Sequence, residues 1–385
     1  MKLAFQLAYK NLMGAGLRTW LNVVVLSFAF VLIIFYNGLI DGWNEQARTD
    51  GIAWEYGNGQ LRHADYDPMD PFTLQDAHGV LPFSDGSSLV PILISQATVY
   101  PQGRMMSAQL KGIDAHQTLL KLPTQLLTTS KAEIPVLVGK RMAEALNVEI
   151  NDEVLLRWRD KNGTFDAASM TIAGIFDTHV PSVDGGQIWL SIEKLQKMTD
   201  LPNEATLFVA NESYVHQAIS GWKFESQESL LKELTSIIEM KKVSGSIMYG
   251  LLLTIALLAI FDTQVLSIFR RQREIGTYIA LGMTRWQVVS LFTVEGSMYS
   301  FLAALLGAVW GIPLLLFAAW KGFALPAAST EMGLIVADRI HPVYGIGLIV
   351  STLVLVVAAA TLVSFLPSRK IAKMNPVDAL KGKML

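Results

Sequence analysis

The stretch RRQREIGTYIALGMTRWQVV, Arg270 to Val289, holds four arginines and is flanked on both sides by long apolar runs. Guanidinium groups there suit two tasks, contact with lipid headgroups at a membrane surface or docking against a partner. Ile275, Tyr278, Ile279 and Val288 to Leu291 add an apolar stripe, and Gly276 and Gly282 are expected to break the helix. A basic, amphipathic, kinked segment serves either task. Two acids sit in the neighbouring runs. Asp262 lies about 12 Å up a helix from Arg270, and Glu295 a comparable ~15 Å from Arg285, at 1.5 Å per residue. Acids at that depth are costly unless satisfied, so they either join their two helices by hydrogen bonds, with one protonated, or reach cytoplasmic water. Gly307 and Gly311 form a G-x-x-x-G, which lets helices approach closely in a dimer or within one chain.

Signatures of catalysis are missing. No G-x-x-x-x-G-K-[ST] phosphate loop occurs, Gly139-Lys140-Arg141 being the nearest approach, so this chain cannot hydrolyse ATP by that route. There is no G-x-S-x-G elbow and no H-E-x-x-H, the six histidines are scattered, and the absence of cysteine removes disulfides and thiolate metal sites. No catalytic residue, metal site, bound cofactor or nucleic-acid partner is expected.

The elements that carry these residues follow from hydropathy. At 385 residues, 51% hydrophobic and 17% charged, the chain reads as a membrane protein. Crossing a hydrocarbon core takes about 20 apolar residues. Four runs qualify: 19–40, 243–269, 288–320 and 342–368. The first is too long for a signal peptide and lacks an A-x-A site, so it is read as an uncleaved span. Residues 1–18, 270–287 and 369–385 carry 12 Lys or Arg against two acids, whereas 41–242 carry 17 basic and 27 acidic residues. The positive-inside rule therefore predicts both termini and 270–287 in the cytoplasm, with 41–242 and the short loop 321–341 outside.

Residues 41–242 read as α+β. Strands are expected at Ile92 to Tyr100, Met106 to Ile113, Val154 to Arg159, Met170 to Phe176, Gln187 to Leu190 and Leu207 to Ala210, with an Asn162-Gly163 hairpin turn. Helices are expected at Lys140 to Leu146, Ile192 to Met198 and Gln227 to about Lys242, the last running on into 243–269 as a stalk. In the tail, Asn375, Pro376 and Asp378 signal the start of a short helix.

Several of these stretches resemble the four-span permeases of ATP-binding cassette (ABC) complexes of the MacB and FtsX type. Arg271, Arg273, Glu274, Ile275, Gly276, Ala280, Leu281, Gly282, Thr284 and Val288 match the family pattern R-x-R-E-I-G-x-x-x-A-L-G-x-[ST]-x-x-x-[IV]. LPSRKIAKMNPVDALK, including Pro376, resembles the family's tail, and GKRMAEALNVEINDEVLLRW the opening of its outer porter domain. YNGLIDGW and GQLRHADYDPMDPF are similar to the LolC and LolE lipoprotein-releasing branch. The hairpin Arg159 to Ala168, which matches a chaperone-binding hook there, is short. The resemblance implies four transmembrane helices with a large α+β, MacB-like periplasmic domain between the first two, in a bacterial inner membrane. It implies coupling through Arg271 to Gly282 and Pro376 to a separate ABC ATPase dimer that holds the ATP and Mg, a second permease chain, a lipoprotein or lipid substrate, and a periplasmic chaperone. Drug, peptide or glycolipid efflux and signalling to a cell-wall hydrolase are the family's other activities.

Overall fold

The structure is a computed structural model that describes residues 17–82, 88–324 and 339–373. The chain divides into two compact units. One comprises the described parts of Met1–Gly42, Ile238–Phe323 and His341–Leu385, the other Trp43–Ile237 with the described parts of Ala324–Ile340.

Among the described residues four helices are long and apolar enough to cross a membrane: α1 (Leu17–Gly51), then, numbered in chain order after the helices of the second unit, α7 (Lys232–Arg270), α9 (Arg285–Lys321) and α10 (Ile346–Ser368). The first three outrun their apolar windows at both ends, whereas α10 begins at Ile346, four residues inside its window, and ends with it at Ser368. α1 continues past Asp41, which pairs with Lys242 at 2.6 Å, so a charge at the window's edge is satisfied without ending the helix. The first unit's apolar core joins Val23, Leu26, Phe30 and Ile34 of α1 to Leu253, Ala256 and Ile260 of α7, Met298 and Ala303 of α9 and Val356 of α10. Gly311 packs on α1, where an added Cβ would lie 2.5 Å from a methyl carbon of Val31; Gly307 faces the same helix. Gly245 likewise receives the ring of Tyr36.

The second unit is built on a nine-stranded sheet, β1 (Gly59–His63), β2 (Leu89–Tyr100), β3 (Met106–Ile113), β4 (Pro135–Gly139), β5 (Glu153–Arg159), β6 (Phe165–Phe176), β7 (Gln187–Ser191), β8 (Leu207–Ala210) and β9 (Trp222–Ser226). Six strands close into a ring: β2 pairs with β3, β3 with β7, β7 with β4, β4 with β6, β6 with β5, and β5 with β2. Strand alternation fills the ring with Leu93, Val99, Leu110, Val136, Val138, Leu156, Met170, Ile172 and Leu190, and α3 (Lys140–Leu146) and α5 (Ile192–Thr199) add Met142, Leu146 and Leu195. β8, β1 and β9 extend from the first half of β2. The short helices α2 (Gln125–Thr129), α4 (Pro181–Asp184) and α6 (Gln227–Leu230) complete the unit.

β1, β4 and β9 are additional to the six strands expected. β4 opens on a proline and β1 on a glycine, both marks of a turn, and tertiary pairing overrides those local signals. Asn162-Gly163 does turn the chain between β5 and β6, with Gly163 at φ +84°. The stalk starts later than expected, because α6 ends at Leu230 and the unbroken helix begins at Lys232.

A short π-helical turn, Ile52–Tyr56, ends α1. Beside it a charge is buried: Lys111 on β3 is 7% exposed, its Nζ 5.1 Å from the Trp189 ring centre and 4.0 Å from a carboxylate oxygen of Glu55. Burial pushes the Lys111 ammonium below its usual range, and Glu55 opposes that shift.

Candidate functional site

The segment between α7 and α9 folds into a helix and a tight turn. α8 (Gln272–Ala280) buries Gln272, Ile275 and Gly276. Gly276 therefore lies inside the helix rather than breaking it, since one glycine costs only about 1 kcal/mol and the packed face outweighs it. Gly282 does end it, at φ +100°, where side chains are disfavoured. Met283 N–H then donates to Tyr278 O at 3.0 Å, closing the turn. Two residues on, Thr284 and Gln287 make a reciprocal capping box that starts α9: Thr284 Oγ1 accepts from Gln287 N–H at 3.3 Å, and Gln287 Oε1 from Thr284 N–H at 2.8 Å.

An apolar cluster fixes this helical hairpin. Ile275 packs with Ile268 of α7, Val288, Val289 and Phe292 of α9, and Ile371, all at most 6% exposed. Arg271, at the α7–α8 junction, points inward. Its Nη1 donates to both carboxylate oxygens of Glu295, at 3.0 and 2.9 Å, and its Nε donates to Glu274 at 2.7 Å. The guanidinium also sits 4.8 Å from the Phe292 ring centre. Side-chain exposure is 17% for Arg271 and 9% for Glu295, so the pair is largely withdrawn from water, while Glu274 at 55% is not.

What this hairpin offers outward is a compact knob. Leu281 is 79% exposed and Trp286 64%, on either side of Gly282, with Arg273, Ala280 and Arg285 also at the surface. Large apolar side chains flanked by cations on a rigid turn can dock into an apolar, acidic recess of another protein.

Among the residues singled out from sequence, Arg271, Glu274, Ile275, Gly276 and Glu295 come together, and Arg273, Ala280, Leu281 and Gly282 line the outer side. Pro376 lies outside the described residues. The partner given to Glu295 is Arg271, whereas Asp262 is exposed on α7. The reason is helical phase. Ile260, Gln264 and Ile268, spaced by four, are buried, and Asp262 stands about 200° around the helix from either of the first two at 3.6 residues per turn. Sequence reasoning misses Trp286, Phe292 and the Thr284 capping box. The T-x-x-Q spacing is a readable signal for the box, but nothing local marks Phe292 as the ring beneath Arg271.

The FtsX-like permease C-terminal profile matches residues 246–376, which takes in α8, its turn and the whole of α9 and α10. The lipoprotein-releasing system transmembrane protein LolC of Xylella fastidiosa is 22% identical over 58% of this chain and 59% of its own length. The uncharacterized ABC transporter permease YknZ of Bacillus subtilis is 25% identical over 57% of this chain and 50% of its own. The macrolide export ATP-binding/permease protein MacB of Wolinella succinogenes is 23% identical over 51% of this chain and 27% of its own. The chain thus spans about half the length of the curated relatives it matches. It carries an FtsX-like permease domain, and its homologues are ABC transporter permeases of the LolC, YknZ and MacB types.

Proposed function

We propose that the chain is the permease subunit of an ABC transporter, in which a separate ATPase dimer binds ATP and Mg and drives movement of the sheet unit. The observation that carries this reading is the α8–α9 hairpin, held by the Arg271–Glu295 pair and presenting Leu281 and Trp286 within the FtsX-like match. Movement passes along the chain through α7 into the sheet unit. The substrate is a lipoprotein or another lipid-anchored molecule taken from the outer leaflet of a bacterial inner membrane. The LolC relatives support lipoprotein; the MacB relatives keep efflux of a drug, peptide or glycolipid as the second reading. A second permease chain, identical or homologous, completes the complex, and a periplasmic chaperone receives the cargo. Both termini and the hairpin face the cytoplasm and the sheet unit faces the periplasm.

Purification of the tagged protein from its native membranes in mild detergent, with mass spectrometry of what travels with it, tests this. An ABC ATPase with acylated lipoproteins supports the proposal. The ATPase with a cell-wall hydrolase moves the reading to signalling, and no ATPase overturns the permease assignment.

A further inference from the structure

The chain enters and leaves the sheet unit through adjacent strands. α1 runs through the turn at Ile52–Tyr56 into β1, and β9 runs through α6 into α7. β1 and β9 pair antiparallel from Gly59↔Ser226 to His63↔Trp222, so both helix attachments lie at one end of a single five-pair ladder. Among the described residues β9 pairs with β1 alone. Forces that pull paired strands apart from one end break their bonds one at a time, since each lies across the strands. Without reinforcement, this end is where the ladder opens first.

Reinforcement is found there. Gln227, the first residue of α6, donates from Nε2 to Gly57 O at 3.2 Å and accepts at Oε1 from Arg48 of α1 at 3.4 Å, bridging the incoming and outgoing chain. Gly57, at φ +54°, would carry a Cβ 2.5 Å from Val209 and 2.8 Å from Ala210 O. Gly59, at φ +134°, would carry one 2.7 Å from the Phe224 ring and 3.0 Å from Glu225 O. Only glycine takes those backbone angles without strain, and here it also lets three strands close on the turn. On the outgoing side Ser229 donates from Oγ to Glu225 at 2.6 Å; hydrogen bonds from Lys223 and then Ser229 hold the Glu225 carboxyl below its usual range.

We infer that Gly57, Gly59 and the Gln227 bridge form a splice joint that keeps the attachments of α1 and α7 at fixed separation, so that the sheet unit follows both helices as one body. Gln227 is its positioning residue. The inference rests on the proposed reading that ATP-driven movement reaches this unit.

The absence of cysteine makes a clean test possible. Ala64 N–H donates to Gly221 O, which sets the alternation of the ladder and makes Leu61↔Phe224 a non-hydrogen-bonded pair. Such pairs have Cα atoms about 4.5 Å apart, within disulfide range of roughly 4.4–6.8 Å. L61C/F224C, with and without Q227A, would be reconstituted in proteoliposomes with the ATPase, and release of an acylated lipoprotein per ATP hydrolysed would be measured before and after reduction. The reduced double variant reports the cost of the substitutions themselves. In the joint reading, oxidation leaves release unchanged, Q227A lowers release per ATP several-fold, and oxidation restores it in the triple variant. Loss of release on oxidation that returns on reduction would mean the ladder opens during the cycle and overturns the joint. Amide exchange over Trp222–Ser226 decides independently of any ATPase. It should rise several-fold in Q227A while the six-stranded ring is unchanged, and no rise refutes the joint even if the transport reading stands.

Discussion

The Arg271–Glu295 pair makes the sharpest prediction, because removing either partner should cost differently. Exposed ion pairs contribute about 0–1 kcal/mol, and breaking fully buried ones costs about 3–5 kcal/mol. With side chains 17% and 9% exposed, this pair lies between, and a coupling near 2 kcal/mol, about 30-fold in an equilibrium, is expected. Glu295→Gln keeps the shape and one acceptor oxygen, and it leaves Arg271 still bonded to Glu274, so its cost should be the smaller. Arg271→Gln strands a carboxylate that is 9% exposed, and should cost roughly 2 kcal/mol more. Adding Glu295→Gln to Arg271→Gln should then recover most of that loss. Denaturant titration of the wild type, the two single variants and the double variant in detergent micelles gives the double-mutant cycle. A coupling below about 0.3 kcal/mol, or a double variant no better than Arg271→Gln, would sink the claim that this pair fixes α8.

Three further outcomes are expected. Trp286→Ala should change stability by less than about 0.5 kcal/mol, since the side chain is 64% exposed, yet lower ATPase retention in pull-downs at least tenfold. Gly282→Val should also weaken that retention, through backbone strain of about 1–3 kcal/mol alone, because nothing lies within 4 Å of the new Cβ; Gly282→Asn should be milder. Glu55→Gln should destabilise the protein by about 3 kcal/mol by leaving the Lys111 ammonium buried beside a neutral group, whereas Lys111→Met should cost less, because the Glu55 carboxylate keeps the Ser182 hydroxyl, which donates to it at 2.6 Å. Because the folded Lys111 pKa is lowered, the unfolded chain binds more protons between that value and the ordinary 10.5, so wild-type stability gains with rising pH across that window. Lys111→Met should lose this gain in melts at alkaline pH.

Local sequence settled much of this protein. Hydropathy over windows of about 20 residues is a property of chain composition, so the four long helices could be located without knowing their packing. Gly282 was legible as a helix end because only the backbone dihedral decides it, and Asn162-Gly163 as a turn for the same reason. Strand periodicity gave six of the nine strands of the large sheet, and missed β1, β4 and β9, whose pairing is supplied by neighbours distant in sequence. The candidate site divides the same way. Arg271 to Gly282 could be marked as a segment from their order along the chain. That Arg271 turns inward to Glu295, 24 residues on, that Gly276 is packed rather than kinked, and that Asp262 faces away were decided by which sides of α7 and α8 are buried. That the sheet closes into a six-stranded ring, and that α1 and α7 attach at one end of one ladder, depend on long-range pairing. Pairing partners are chosen by packing and loop closure across the whole unit, and no window along the sequence contains that information.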